Sequence, residues 1–234
     1  MDLNNPILIG KVKSVFNVAG EAQRVLIRYE DRVTAGNGKK ELWQENKGSI
    51  CCEISKILFE KLEKKGVRTH YINTVSESIM CCKRVEIIPV EVVVRNITAG
   101  SIVRQTTLEE GTVLSEPLVE YFLKDDAKDD PLLTYDRVRL MGIDPQPMKD
   151  GALLINTILQ EIFNEIGLTL VDFKLEFGYD FNKNLLLADE LSPDGMRLWK
   201  EGTMESFDKD LFRKDKGDIV KAYQYILSKL RGFA

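Results

Sequence analysis

The chain has 234 residues, of which 44% are hydrophobic and 30% are charged. This composition indicates a folded globular protein with one large domain or two lobes, and it excludes a largely disordered chain. With a formal net charge of −4, general binding to nucleic acid or to an anionic membrane is not expected. No apolar run approaches the roughly 18 residues that span a bilayer, and the first residues lack a secretory pattern, so we expect a cytoplasmic protein.

Four runs of β-branched and aromatic residues predict strands in the first part of the chain, over 7–18, 23–29, 71–76 and 78–84. A glycine-bearing loop is expected over 34–40. Apolar residues at helical spacing predict a helix over 49–65, which ends at Lys64-Lys65-Gly66.

Cysteine and histidine limit the chemistry that is available. The four cysteines form two adjacent pairs, Cys51-Cys52 and Cys81-Cys82, without the spacing of a zinc site, and we interpret them as buried apolar residues. His70 is the only histidine and has no evident Ser or Cys partner. Acid–base chemistry must therefore use carboxylates or lysines, which excludes most hydrolase mechanisms.

The apolar run over 86–96 contains Pro89. Proline cannot donate a hydrogen bond to a sheet, so we expect the strand to be interrupted there or to lie at an edge. A chain that leaves one sheet, passes a proline and enters a second region is a candidate hinge. We therefore predict two lobes, over 1–86 and 87–234.

The C-terminal part is predicted to combine two amphipathic helices, over 151–166 and about 217–231, with a charged hairpin. The hairpin strands are expected over 168–177 and 185–189, with the turn centred between Asn182 and Lys183. Pro145 and Pro147 are interpreted as part of a loop before the first of these helices.

Side-chain alternation along the hairpin places Asp172, Lys174 and Glu176 on one face, and the predicted register puts Glu176 opposite Asp189. Two facing carboxylates repel unless a cation or proton lies between them, and such ligands suit Mg²⁺ together with substrate phosphates. A solvated face balanced by Lys174 is the alternative. Arg197, in the polar loop region that follows, is a bidentate donor and favours a binding site.

Two other stretches are candidates for phosphate binding. Gly10–Lys13 (GKVK) places two lysines on one face of the first strand, although such lysines usually face solvent. Arg95 ends a strand and is followed by Gly100-Ser101, where backbone N–H groups and a hydroxyl could bind an anion. The alternative for Arg95 is an ion pair with Glu91.

Several motifs cover nearly the whole chain in a fixed order. They are IIPVEVVVRNITAGS (87–101), LVDFKLEFG (170–178), LADELSPDGMRLW (187–199) and DKDLFR (208–213), with GKVK, TAGNGKK and KDDAKDDP between or before them. Together these stretches resemble the SAICAR synthetase family of purine biosynthesis, the phosphoribosylaminoimidazole-succinocarboxamide synthases.

The resemblance implies an ATP-dependent ligase that joins carboxyaminoimidazole ribonucleotide to L-aspartate and releases ADP and phosphate, by way of an acyl phosphate. It implies an α+β fold of the ATP-grasp- or kinase-like kind, in which ATP lies in a cleft between a small antiparallel β lobe and a larger α+β lobe. The implied cofactors are ATP and Mg²⁺, and the partners are these small-molecule substrates. Exposed apolar residues near 204–207 and on the last helix are compatible with a homodimer, but they are also common on monomers.

By the same resemblance, the groups expected to bind ATP are Lys11, Lys13, Lys124 and the Glu86-Ile87 backbone. Those expected to bind Mg²⁺, and through it ATP, are Glu176 and Asp189. Those expected to bind the ribonucleotide, chiefly its phosphate, are Arg95, Gly100, Ser101 and Arg197. Those expected to act catalytically near the reacting carboxylate are Lys13, Asp172, Lys174 and Arg197. Further substrate contacts, aspartate among them, are expected from Gly36, Asn37, Gly38 and Asp194.

The chain departs from the family pattern at Asn37, where many relatives have Asp, so a neutral hydrogen-bonding role is expected there. Nothing is carried over to 132–149, which aligns poorly. A small kinase is one alternative function, but the chain has no HRD-like loop and no GxGxxG. A non-catalytic nucleotide-binding protein is another, but all the charged residues named above are present.

Overall fold

The protein combines two main antiparallel sheets with helices, which confirms the predicted α+β fold. The computed structural model describes residues 3–35 and 40–232. Within these residues no helix is both long and apolar enough to cross a membrane.

The N-terminal half contains seven strands: β1 (Leu8–Ile9), β2 (Lys13–Asn17), β3 (Arg24–Tyr29), β4 (Arg32–Ala35), β5 (Lys40–Trp43), β6 (Tyr71–Ser76) and β7 (Ile79–Lys83). Five of them form a sheet in the order β1-β2-β3-β7-β6, and β4 pairs with β5 separately. The single strand predicted over 7–18 is wrong, because the chain turns where the Gly10 N–H donates to the Lys13 carbonyl (2.8 Å). Lys11 therefore lies in a turn and Lys13 on β2.

The second sheet is built from β8 (Glu86–Ile97), β9 (Val113–Leu123), β10 (Leu132–Leu133), β11 (Leu168–Tyr179), β12 (Leu185–Ala188) and β13 (Met196–Lys200). Its order is β10-β9-β8-β11-β12, and β13 also pairs with β11. The helices are α1 (Lys47–Lys64), α2 (Ser101–Gln105), α3 (Tyr135–Leu140), α4 (Gln146–Glu165), α5 (Asp210–Arg213) and α6 (Ile219–Gly232).

Two prolines act differently from what the sequence predicts. Pro147 lies in the first turn of α4, so the helix begins five residues before the predicted start; proline is favoured at this position, where its missing N–H is not needed. Pro89 lies inside β8, which is continuous and central. The proline is accommodated because β9 pairs only from Val90 onward and because the register with β11 shifts between Glu176 and Gly178.

A continuous apolar core joins the two sheets. It includes Ile27 and Phe59 from the first half and Val92, Phe173 and Tyr223 from the second. α1 packs against β3 and also contacts α4 and α6. All four cysteines are buried and unbonded, as expected, and burial raises the pKa of their thiols.

Candidate active site

The charged face of β11 lies at the centre of the second sheet. Asp172 and Glu176 are buried and Lys174 is half-buried, and β11 is flanked on one side by β8 and on the other by β12 and β13. Lys174 and Glu176 are predicted to share one face of the strand, and their contact supports this: Lys174 Nζ lies 3.0 Å from Glu176 Oε1. The solvated-face alternative is wrong for the two buried carboxylates, because a buried charge needs a partner.

One end of this face holds a lysine–carboxylate cluster, consisting of Lys13, Glu91, Lys124, Lys174, Glu176, Asp189 and Glu190. Lys174 Nζ also lies 2.8 Å from Glu91 Oε1, and Lys124 donates to the second oxygen of Glu176. Lys13 donates to Asp189 and lies 3.0 Å from Glu190 Oε1. Lysines and carboxylates thus alternate across the cluster.

The register predicted for the hairpin is wrong by one residue, because Glu176 pairs with Ala188 rather than with Asp189. Asp189 follows the end of β12 with φ of 63°, in the left-handed region. Its carboxylate nevertheless contacts Lys13, which lies near Glu176 as well. A backbone turn, instead of direct pairing with Glu176, therefore brings Asp189 into the lysine–carboxylate cluster.

Electrostatics keep Lys174 and Asp189 ionised. Burial alone would lower the pKa of Lys174, but Glu176, Glu91 and Asp189 together raise it well above its ordinary value. Burial alone would raise the pKa of Asp189, but Lys13 and Lys174 outweigh it and hold that pKa well below its ordinary value. At neutral pH Lys174 therefore carries a positive charge and Asp189 a negative one.

The other end of the face holds an arginine cluster, consisting of Arg95, Ser101, Glu120, Asp172, Arg197 and Asp210. Arg95 donates to Glu120 Oε2 (2.6 Å), Asp172 Oδ2 (2.9 Å) and Ser101 Oγ (2.8 Å). The alternative pairing of Arg95 with Glu91 is wrong, since Glu91 accepts from Lys174. Partners from three other elements, β9, β11 and the start of α2, therefore converge on the guanidinium that β8 carries.

Arg197 completes the arginine cluster from β13. Its Nη1 lies 3.1 and 2.8 Å from the two oxygens of Asp172, and its Nε lies 3.3 Å from Asp210 Oδ2. Gly100 has φ of 70°, and a Cβ there would lie 2.4 Å from Arg197 Nη2. Only glycine lets the backbone approach the guanidinium so closely. Burial raises the pKa of Asp172, and Arg197 and Arg95 offset part of that rise.

The remaining nucleotide-binding candidates, Lys11 and the Glu86-Ile87 backbone, have partners outside the lysine–carboxylate cluster. Lys11 Nζ is 2.6 Å from Asp126 Oδ1, so Lys11 and Lys13 do not share a strand face as predicted and have different acidic partners. Glu86 and Ile87 begin β8 beyond the end of β9 and pair with β11. Gly178 allows this pairing, because a Cβ there would lie 2.8 Å from the Glu86 carbonyl oxygen.

Gly36, Asn37 and Gly38 lie outside the described residues. The chain that follows them is anchored on α5, where Lys40 Nζ donates to the Phe212 carbonyl (2.6 Å) and lies 4.5 Å from the centre of the Phe212 ring.

Asp194, which the resemblance assigns to a substrate contact, lies in the short turn before Arg197. It is buried, accepts from the Tyr223 hydroxyl (2.9 Å) and pairs with Lys47, which is itself buried. Burial would raise the pKa of Asp194, but Lys47 and Lys209 lower it to about 2. The carboxylate thus ties the loop that precedes Arg197 to α1 and α6.

His70 is buried beside the lysine–carboxylate cluster. Its Nε2 lies 3.1 Å from the carbonyl oxygen of Asp189. Burial lowers the pKa of His70 to about 4, so the ring is neutral at pH 7.

Sequence reasoning missed several residues that shape the site: Lys47, Glu120, Glu190, Asp210 and Tyr223. Glu190 and Asp210 lie inside the motifs LADELSPDGMRLW and DKDLFR, so motif membership could have identified them. Lys47, Glu120 and Tyr223 lie outside every motif, and only the tertiary packing brings them to the site.

The protein family is decided by comparison with known proteins. The SAICAR synthetase family model matches residues 6–230. The chain belongs to the SAICAR synthetase family. The family, the fold and the enzymatic function that the sequence resemblance implied are thereby confirmed.

Individual SAICAR synthetases are similar over almost their whole length. A phosphoribosylaminoimidazole-succinocarboxamide synthase from Methanocaldococcus jannaschii is 44% identical over 229 residues, which cover 96% of this chain and 94% of that protein. A solved SAICAR synthetase in complex with ADP has a TM-score of 0.93 at 37% identity and covers 96% of this chain and 97% of its own. The solved enzyme from Ehrlichia chaffeensis has a TM-score of 0.93 at 35% identity, and the match covers 97% of this chain and 98% of that one.

The buried pair of Lys47 and Asp194 predicts a large and pH-dependent loss of stability for Lys47→Met. Without the lysine, Asp194 is buried with its main partner lost, which is expected to cost about 3–5 kcal/mol near pH 7 in urea unfolding. Lys56→Met changes a partly exposed lysine of the same helix and is the matched control, with an expected loss below about 1 kcal/mol.

The pH dependence follows from the lowered pKa of Asp194. In the unchanged protein the ion pair stabilises the fold above the ordinary carboxyl pKa, and this contribution is lost as the pH falls toward about 2. In Lys47→Met, burial raises the pKa of Asp194, so the carboxyl is protonated earlier and the difference between the two proteins shrinks toward about pH 4. Equal losses in Lys47→Met and Lys56→Met would show that the pair contributes nothing.

Proposed function

We propose that the enzyme transfers the γ-phosphoryl group of ATP to the carboxylate of carboxyaminoimidazole ribonucleotide and then joins that carbon to the amino group of L-aspartate. One observation carries the proposal: the lysine–carboxylate cluster and the arginine cluster lie on the same face of β11, linked by Asp172, Lys174 and Glu176. Lys174 therefore lies between a candidate site for the phosphoryl donor and a candidate site for the acceptor.

ATP is proposed to lie between the N-terminal lobe (1–86) and the C-terminal lobe (87–234). Lys11, Lys13 and Lys124 would contact its phosphates, and the Glu86-Ile87 backbone would contact adenine. Support comes from the shared cluster of Lys13 and Lys124 and from the ADP bound by the similar solved enzyme. Each lysine would exchange a carboxylate partner for a phosphate of the same charge sign.

Glu176 and Asp189 would hold Mg²⁺, and their chemistry fits the ion. Both are carboxylates that share lysine neighbours, and Mg²⁺ is usually bound by one or two carboxylates with phosphate and water in the other positions. In the part of the chain that the structure describes, no group of three or more His, Cys, Asp or Glu side chains is placed to hold a metal. When bound, Mg²⁺ neutralises charge on the phosphoryl oxygens.

The ribonucleotide phosphate would bind at Arg95, Ser101 and Arg197. These donors are preorganised: Gly100 packs directly against Arg197, and Asp172 holds both guanidiniums. Planar guanidiniums suit bidentate phosphate binding.

Lys174 would orient the substrate carboxylate toward the γ-phosphorus. The carboxylate oxygen forms a bond to phosphorus as the bond to the ADP oxygen breaks, and ADP leaves. The aspartate amine then attacks the acyl carbon and loses a proton, and phosphate leaves with the former carboxylate oxygen. Lys13 and Arg197 would balance charge during these steps, which need positioned cations and no histidine nucleophile. The loop containing Asn37 is proposed to contact a substrate.

The reaction class is tested by measuring ADP release from MgATP with the ribonucleotide present and L-aspartate added or withheld. A ligase is expected to release ADP continuously only when all three substrates are present. Continuous release that does not need aspartate would contradict the proposal and favour a kinase. ATP binding without any turnover would favour a nucleotide-binding protein.

The metal proposal predicts that Glu176→Gln and Asp189→Asn each lower turnover by at least about 100-fold, because metal-mediated charge stabilisation is lost. Glu91→Gln, which changes another partner of Lys174, is the comparison variant and is expected to retain the dependence on Mg²⁺. Turnover is measured across a Mg²⁺ titration, and circular dichroism checks the fold. Near-normal turnover in both Glu176→Gln and Asp189→Asn would move the metal elsewhere.

A further inference from the structure

We infer that His70 is a positioning residue for the proposed metal site: its ring N–H holds the carbonyl of Asp189 and thereby the backbone turn that directs the Asp189 carboxylate toward Glu176. The inference rests on the proposed function in one respect, the assignment of Asp189 as a metal ligand. It concerns a side chain that the reaction steps above do not use.

The hairpin register is the first step of the argument. Ala188 pairs directly with Glu176, and Leu187 pairs with Phe177. Because side chains alternate along a strand, a regular extension of β12 would place Asp189 on the face of Leu187 and Phe177, which are buried in the apolar core. A carboxylate on that face would be desolvated and far from Glu176.

The backbone of Asp189 prevents this outcome. Its φ of 63° breaks the alternation, and the carboxylate reaches Lys13 on the charged side. A residue with a side chain in this region is strained by about 1–3 kcal/mol and stays there only when its surroundings hold it. Aspartate adopts the left-handed region more readily than most residues, but it still prefers other backbone conformations when nothing holds it there.

The imidazole of His70 supplies such a hold. Its Nε2 lies 3.1 Å from the Asp189 carbonyl oxygen. A carbonyl oxygen only accepts hydrogen bonds, so Nε2 carries the proton and donates. The bond fixes the peptide that follows the strained residue.

His70 is itself held from both sheets. Its backbone N–H donates to the Leu187 carbonyl (2.9 Å), and its carbonyl accepts from the Lys83 N–H of β7 (2.7 Å). The ring packs edge-on against Phe59, with centroids 5.5 Å apart. An imidazole fixed in this way can define the orientation of Asp189, as outer partners of metal ligands commonly do.

The test compares three variants of the full chain with the unmodified protein. His70→Leu keeps apolar packing and removes the donor, whereas His70→Gln keeps an N–H donor of similar reach. Ile54→Val is the matched control, since it removes a buried methyl group from the same core at a residue of α1 that makes none of the His70 contacts described above. The readouts are the affinity for Mn²⁺ in the presence of ADP, measured by electron paramagnetic resonance, and the stability to urea.

His70→Leu is expected to weaken Mn²⁺ binding by about 10-fold or more, and His70→Gln is expected to restore most of the affinity. Ile54→Val is expected to lose stability and keep its Mn²⁺ affinity. If the role of His70 were purely structural, His70→Leu would behave in the same way. If His70→Leu does not fold, His70→Phe takes its place with the same expectation.

The variant Asp189→Asn distinguishes a failure of the His70 positioning role from a failure of the proposed metal site. If Asp189→Asn weakens Mn²⁺ binding and His70→Leu leaves it unchanged, the positioning role of His70 is wrong while the metal site stands. If Asp189→Asn leaves Mn²⁺ binding unchanged, the proposed metal site is wrong and the inference falls with it.

Discussion

The site depends on one electrostatic constraint: β11 carries three consecutive charged side chains on one face in the middle of a sheet, and buried charges must be paired. Leaving one such charge without its partner costs about 3–5 kcal/mol. Asp172 meets two arginines and Glu176 meets two lysines, brought by strands and loops from distant parts of the sequence. The order of the strands around β11 therefore brings charged partners to each of its buried carboxylates.

This compensation also suggests how ligands would enter. In the proposed function, phosphates would exchange with carboxylates at the lysines and arginines, and Mg²⁺ would exchange with lysines at Glu176 and Asp189. The charge balance of each cluster is then similar before and after binding. Folding would already have removed much of the water around these charged groups, so ligand binding would not bear that free-energy cost again.

The part of the site that depends on local alternation could be predicted from the sequence, and the part that depends on special backbone geometry could not. Alternation alone grouped Asp172, Lys174 and Glu176 on one face. The hairpin register was wrong by one residue because the left-handed turn at Asp189 has no signature in a sequence. Asp189 nevertheless lies in the lysine–carboxylate cluster, although it does not pair with Glu176 as the predicted register required. The partners of Asp194 within the fold, Lys47 and Tyr223, could not be predicted because they lie far away along the chain.

In the proposed reaction, a phosphoryl group bound at one end of β11 is transferred to a carboxylate bound toward the other end. The most direct test uses a ribonucleotide whose carboxylate is labelled with oxygen-18, turned over with ATP and L-aspartate. Formation and breakdown of an acyl phosphate predicts one labelled oxygen in each released phosphate, measured by mass spectrometry. Unlabelled phosphate, with the label retained entirely in the nucleotide product or lost to water, would contradict the account.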